Sequence, residues 1–158
     1  MKKYRLTEET TKVGNRPLYR IQALRDFGNV KEGDIGGYIE SEKNLSQDGN
    51  AWVSGDARVY GNAWVSGNAC VYGNARVYGN ADIKTTGDIC SMSGFGSEYR
   101  TTTAFRTKNG DVHVSCGCFF GSLEEFCQRV ESTHGNNLYG REYKKMIEML
   151  KIHFEVEP

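Results

Sequence analysis

The chain has 158 residues, enough for one compact unit with small additions at either end. Its 20 basic side chains balance its 20 acidic ones, so net charge favours neither nucleic acid nor an acidic partner. No apolar run approaches the ~20 residues of a membrane span, and the lysines at the start have no apolar stretch behind them, so neither a membrane helix nor a signal peptide is expected.

The expected setting is therefore the cytoplasm, where thiols stay reduced. Five cysteines, an odd number without framework spacing, agree with it. The sequon Asn44-Leu45-Ser46 has no meaning in that compartment. Charge is spread unevenly: net +4 over residues 1–33, −3 over 34–97 and −1 over 98–158. The basic start reads as solvated surface, and nucleic acid is not an expected partner.

In chain order, KKYRLTEETTKVGNRPLYRIQAL reads as two strands around a Gly-Asn-Arg-Pro turn, an N-terminal β cap over residues 1–33. Asp26-Phe27-Gly28 copies a kinase metal tripeptide, but nothing else of a kinase accompanies it. From residue 51 the chain repeats itself. Val53, Val59, Val65, Val71, Val77, Ile83 and Ile89 recur every six residues, each preceded at two residues by Ala or Gly, with Gly-Asn or Gly-Asp pairs between. A period of six suits short strands joined by corners and does not suit a helix. β-Branched residues fit the strands, and Gly or Asn fits corners that need left-handed backbone angles. Such a repeat builds stacked β-helix coils.

The phrase Val-x-Gly-Asn-Ala-x resembles the hexapeptide repeat of left-handed β-helix proteins, best known from acyltransferases. The resemblance implies a mainly β protein built on a short left-handed parallel β-helix over residues 34–97, with three strands and about 18 residues per coil. The clear hexads make a little over two coils; Ile35, Ile39 and Leu45 extend them toward a third, with Gln47-Asp48 breaking the register. Residues 18 apart then stack in outward columns. One face carries Arg58 with Arg76 and Tyr60 with Tyr78. A second carries Trp52, Cys70 and Asp88 beside Ser54, Tyr72 and Cys90, and a third Trp64, Asp82, Ser66 and Lys84. Guanidinium beside aromatic planes can grip a phosphate or a flat ring, so Arg58, Tyr60, Arg76 and Tyr78, with Trp52, Tyr72 and Trp64, are the candidate binding residues. A subunit interface and a plain outer surface remain open for the same columns.

Past residue 97 the composition shifts to a C-terminal ββαα unit, 98–158. TTTAFRT, the turn Lys108-Asn109-Gly110 and DVHVSCGCFF read as a hairpin. Ser122 to Glu125 is a capping box opening a helix that Gly135 ends. A second helix from about Tyr139 aligns Tyr143, Met146, Ile147, Leu150 and Phe154 on one stripe. VKEGDIGGYIESEKNLS before the repeats, with GCFFGSLEEF and ESTHG after them, is similar to a family of small bacteriophage and prophage proteins, which implies a phage-encoded protein acting in the host cytoplasm.

Catalytic groups are hard to find. Hexapeptide acyltransferases use a His general base, and the repeats contain none: His113, His134 and His153 all lie in the C-terminal unit. His113, Cys116 and Cys118, with Cys127 and His134 nearby, lack zinc-turn spacing; as one strand over residues 112–120, Cys116 and Cys118 read as buried thiols on an apolar face. No catalytic residue, metal or cofactor is expected. The expected function is that of a non-enzymatic homo-oligomer working by binding, against host defence, either by blocking a host protein or by sequestering a nucleotide-like signal. The alternatives are a hexapeptide acyltransferase or an inactive relative of one, and a structural or assembly component.

Overall fold

Alternating side chains over Tyr4–Val13 (β1) and Arg16–Ala23 (β2) make an antiparallel hairpin, closed at Gly14-Asn15 with Arg16 and Pro17 already in the second strand. A computed structural model describes residues 1–156. Strand β2 continues antiparallel onto β3 (Ile35–Ile39), whose other edge pairs parallel with a strand of the repeat. The hairpin thus extends one side of the repeat rather than sitting apart from it.

The repeat forms six two-residue strands: β4 (Trp52–Val53), β5 (Arg58–Val59), β6 (Trp64–Val65), β7 (Cys70–Val71), β8 (Arg76–Val77) and β9 (Asp82–Ile83). They pair parallel with partners 18 residues on: Val53 with Val71, Val59 with Val77, Val65 with Ile83. Each 18-residue coil therefore gives one strand to each of three sheets, and every aliphatic residue of the repeat up to Ile83 is fully buried with its small companion. An earlier partial coil joins at a wider offset, Ile39 opposite Val59 and Leu45 opposite Val65, 20 residues apart. Two extra residues lie before β4, where Gln47 turns its side-chain oxygen to the backbone N–H groups of Lys3 (2.8 Å) and Tyr4 (3.2 Å). Ile35 is not part of this interior; it is 53% exposed.

Glycine turns the corners because it enters the left-handed region without a side-chain clash. Gly67 has φ +63, and a Cβ there would stand 2.5 Å from the Lys84 carbonyl oxygen of the next coil. Gly73, with φ +66, has open space beside it.

The seventh repeat position departs from expectation. Ile89 still packs into the coil's core, but its backbone opens β10 (Ile89–Phe95), which runs antiparallel to β11 (Arg100–Arg106). Thr85-Thr86-Gly87-Asp88 replaces the Gly-Asn corner. Asp88 accepts hydrogen bonds from the N–H groups of Lys84 and Thr85, both at 3.0 Å, and this tight turn diverts the chain. Asp88 consequently leaves the column begun by Trp52 and Cys70, and Cys90 the one begun by Ser54 and Tyr72.

The C-terminal sheet has four strands where the sequence suggested two, in the order β10, β11, β12 (Val112–Cys116), β13 (Phe119–Ser122). Residues 112–120 are not one strand. Gly117 (φ +58) and Cys118 form a two-residue turn that places Cys116 opposite Phe119. Helices α1 (Leu123–His134) and α2 (Leu138–His153) bury Phe126, Val130, Met146, Ile147 and Leu150 against Ala104 and Val114 of the sheet. Ser122 caps α1 through a capping box with Glu125, and Gly135 (φ +58) ends it.

Both ends of the coil stack are covered, which removes strand edges open to aggregation. At one end the Lys3 ammonium, fully buried, donates to the carbonyls of Ala51 (2.6 Å) and Asp48 (3.3 Å), and the Tyr4 hydroxyl donates to that of Leu45 (2.6 Å). At the other, Thr103 accepts from the Arg76 N–H, Ser115 donates to the Arg76 carbonyl, and Phe105 enters the coil's own core. No helix among the described residues is long and apolar enough to cross a membrane.

Candidate functional site

Strands β5 and β8 are in register, so Arg58 and Arg76 stand one above the other on the same outer face, about 4.8 Å apart along the stack. Two residues on, Tyr60 and Tyr78 stack with ring centroids 4.8 Å apart and planes 9° from parallel. Phe120 of β13 continues the column, 4.4 Å from Tyr78. Leu18 and Tyr38 close over Tyr60, which is buried. The tyrosine pair therefore packs the joint between hairpin, coil and C-terminal sheet. Burial raises the Tyr60 hydroxyl above its ordinary value although Arg76, Arg58 and Arg16 oppose the shift. Tyr78 is pushed up to about 12, by burial first and by Tyr60 second.

The other aromatic candidates diverge. Trp52 does point away from the coil interior, but Phe27 and Tyr4 meet it edge-on at 5.2 and 6.5 Å, and it is buried. The N-terminal segment that covers it is the reason it shows solvent nothing. Tyr72 is 48% exposed. Trp64 is half-buried beside Lys43, Asp82 and Lys108 at a smaller hollow of about 390 Å³.

The arginines open onto something larger. A groove of about 820 Å³ runs between the coil face and the C-terminal sheet, with Arg58 and Arg76 on one wall and Tyr99, Arg100 and Cys118 on the other. Among the described residues, none of Arg58, Arg76 and Arg100 forms an ion pair or a side-chain hydrogen bond. Their neighbours show the contrast. Arg20 lies between Glu9 (2.8 Å) and Asp56 (3.1 Å), and Arg16 holds Glu40 at 3.2 Å. Asp56 also lines the groove and pairs with Arg20, which it shares with Glu9, so three groove arginines face one carboxylate. The groove thus carries net positive charge in a chain that is neutral as a whole.

Local geometry holds Arg100 there. Its guanidinium lies directly over Gly117, in the space a Cβ would fill. Tyr99 beside it adopts φ +53, a left-handed angle rare without glycine, and its ring is 72% exposed at the rim. Arg76 and Gly117 also border a second hollow of about 540 Å³, with Arg16, Tyr60 and Tyr78 beyond them. Sequence reasoning missed Arg100 and Tyr99. They lie in GFGSEYRTTT, between the periodic repeat and the next hairpin, where no pattern marks them.

The cysteines and histidines do not converge. Cys116 accepts from the Thr102 hydroxyl at 3.3 Å and lies 3.7 Å from that of Tyr143, while Cys118 is exposed at the turn. His113 meets the Phe120 ring edge-on at 5.6 Å, and its Nδ1 is buried without a partner among the described residues. No group of three or more His, Cys, Asp or Glu stands together as metal ligands would among the described residues.

The site, then, is an arginine-lined groove on a hexapeptide-like coil. No family model matches the chain. It is similar to the uncharacterized acetyltransferase YdcK of Escherichia coli (strain K12), 39% identical over 61 residues, covering 34% of this chain and 19% of that protein. The chain thus spans about a fifth of the length of that curated relative. The likeness fits a hexapeptide-repeat relationship for part of the chain and carries nothing for a bacteriophage origin.

Proposed function

We propose that the protein binds a small phosphate-bearing anion in the groove between Arg58, Arg76 and Arg100, without chemistry on it. The carrying observation is the three guanidiniums that line one groove without an ion pair of their own, against the single carboxylate of Asp56, which Arg20 holds. A planar fork of donors matches phosphate oxygens in pairs, and like charges gathered along one groove attract an anion. The volume, about 820 Å³, falls in the range of small-molecule sites. Of the two forms of binding expected from the sequence, this favours a nucleotide-like ligand over a blocked host protein. In this reading the coil is a left-handed β-helix of hexapeptide type, held between an N-terminal cap (1–33) and a C-terminal unit (98–158), and the protein is a cytoplasmic homo-oligomer.

Inorganic pyrophosphate should raise the melting temperature, because a ligand of the native state alone stabilises by about 2.7 kcal/mol at a hundred times its Kd. The double variant Arg58→Ala/Arg76→Ala should keep its fold and lose that shift. An unchanged shift in the double variant removes the groove from consideration, and native mass spectrometry reports the oligomer.

The likeness to an acetyltransferase supports a second reading, an acyl-transfer enzyme or its inactive relative. Against it, neither His113 nor His153 borders the groove, and His134 borders only the adjoining cavity. Coenzyme A raising the melting temperature of the double variant as much as that of the wild type would favour the enzyme.

A further inference from the structure

The basic groove does not end at Arg100. A second cavity of about 340 Å³ opens on its far side, and Arg100, Cys116 and Cys118 line both. Its floor is aromatic. Phe119 and Phe126 lie 5.3 Å apart, Tyr143 meets Phe126 edge-on at 5.7 Å, and His134 stacks on Tyr143 at 5.7 Å with planes 22° apart. The Arg129 guanidinium lies over the Phe119 ring at 5.3 Å. The mouth is polar, edged by Ser97, Glu98 and Thr133.

Resting on the anion reading of the groove, we infer that the ligand is a nucleoside phosphate, its phosphate on Arg58, Arg76 and Arg100 and its base in the cavity that Phe119, Phe126 and Tyr143 line. Two features select a base over an acyl chain. Rings facing a cavity stack on a flat partner, whereas a chain gains more from a smooth aliphatic tube. Donors and acceptors at the mouth would be desolvated without return by a hydrocarbon, but they match the edge of a heteroaromatic ring. Arg100, common to both spaces, stands where the sugar joins phosphate to base.

Calorimetric titration of the full chain with inorganic phosphate and with each of the four common nucleoside 5′-monophosphates tests this. At least one nucleotide should bind about tenfold or more tighter than phosphate, the scale of one stacked ring. Thr133→Trp, at an exposed helix position on the cavity mouth, should abolish that gain and leave phosphate binding unchanged; Ser97→Trp, on the opposite edge, should do the same should the first variant fold poorly. Nucleotides binding no tighter than phosphate, or a gain that survives both tryptophans, overturns the base assignment while leaving the groove as an anion site. Absence of binding by any of the probes, phosphate included, overturns the anion reading and this inference together.

Discussion

In the coil, residues six apart do the same job: Val53, Val59, Val65 and Val71 all fill one interior with the alanines two residues before them, and the strand residue next to each valine points outward. In the C-terminal sheet neighbouring residues serve different cores. Phe105 enters the coil's core, Ala104 next to it faces the helices, and Cys116 and Cys118 separate at a turn. Repetition fixes where each outward side chain of the coil stands, yet it does not decide which of them stays outside. The N-terminal segment covers Trp52, both flanking units cover the tyrosine column, and the arginine side chains remain open to the groove between coil and sheet. The chemistry of this molecule lies at the seam between its regular half and its irregular one.

The difference breaks most readily from inside. Val71 is fully buried in the coil, and Tyr72 next to it is 48% exposed. Val71→Asp buries a carboxylate with no partner, which should cost about 4–5 kcal/mol or abolish folding. Tyr72→Asp should change stability by less than about 0.5 kcal/mol. Urea denaturation of both reads the contrast, and near-equal midpoints would mean that water reaches the coil interior.

Glycines at equivalent corners sharpen it further. Gly67 and Gly73 occupy the same position of the repeat with nearly the same φ, +63 and +66. An alanine at either should cost about 1–2 kcal/mol for the left-handed backbone. At Gly67 the new Cβ also meets the Lys84 carbonyl, so Gly67→Ala should cost clearly more than Gly73→Ala. Identical losses would show that the coils can slide apart to admit a methyl group, and the repeat would then be a looser scaffold than its register implies.

Much of the coil was legible before any coordinates. The six-residue period marks strands and corners, the hexapeptide resemblance implies the 18-residue pairing, and Gln47-Asp48 marks the one slip in it. The helix bounds at Ser122 and Gly135 follow from capping chemistry that is local to four or five residues. What escaped were long-range facts. Ile89 keeps the spacing of the repeat while its backbone has already turned away at Thr85–Asp88, because a side-chain oxygen, not a change of period, makes that turn. Cys-Gly-Cys carried a hairpin signal in its glycine, but its cysteines drew attention to thiol chemistry instead. The cover over Trp52 depends on Phe27, which sits amid turn residues with no periodicity of its own. Arg100 reaches the groove only because β11 pairs with β12, a contact no local pattern announces.

The last contrast concerns how the two flanks hold the coil at high pH. Lys3 is held down to about 8, chiefly by burial and then by Arg25, with Asp48 pulling the other way. A lysine whose folded value lies below its unfolded one binds fewer protons in the native state, so stability rises with pH between about 8 and 10.5. Tyr4, Tyr60, Tyr78 and Tyr143 are all raised by burial. Their contribution is complete below the ordinary tyrosine value of about 10 and is lost as pH climbs through the folded values. Urea midpoints should therefore climb modestly from pH 8, peak near pH 10 and then fall steeply, since four hydroxyls outweigh one amine. Lys3→Met leaves the Ala51 carbonyl without its donor and lowers the whole curve by about 1–3 kcal/mol. It should also erase the climb and leave the fall. A climb that persists in Lys3→Met would mean that the buried ammonium is not what titrates, and the N-terminal end of the coil would be closed by packing of Tyr4 and Phe27 alone.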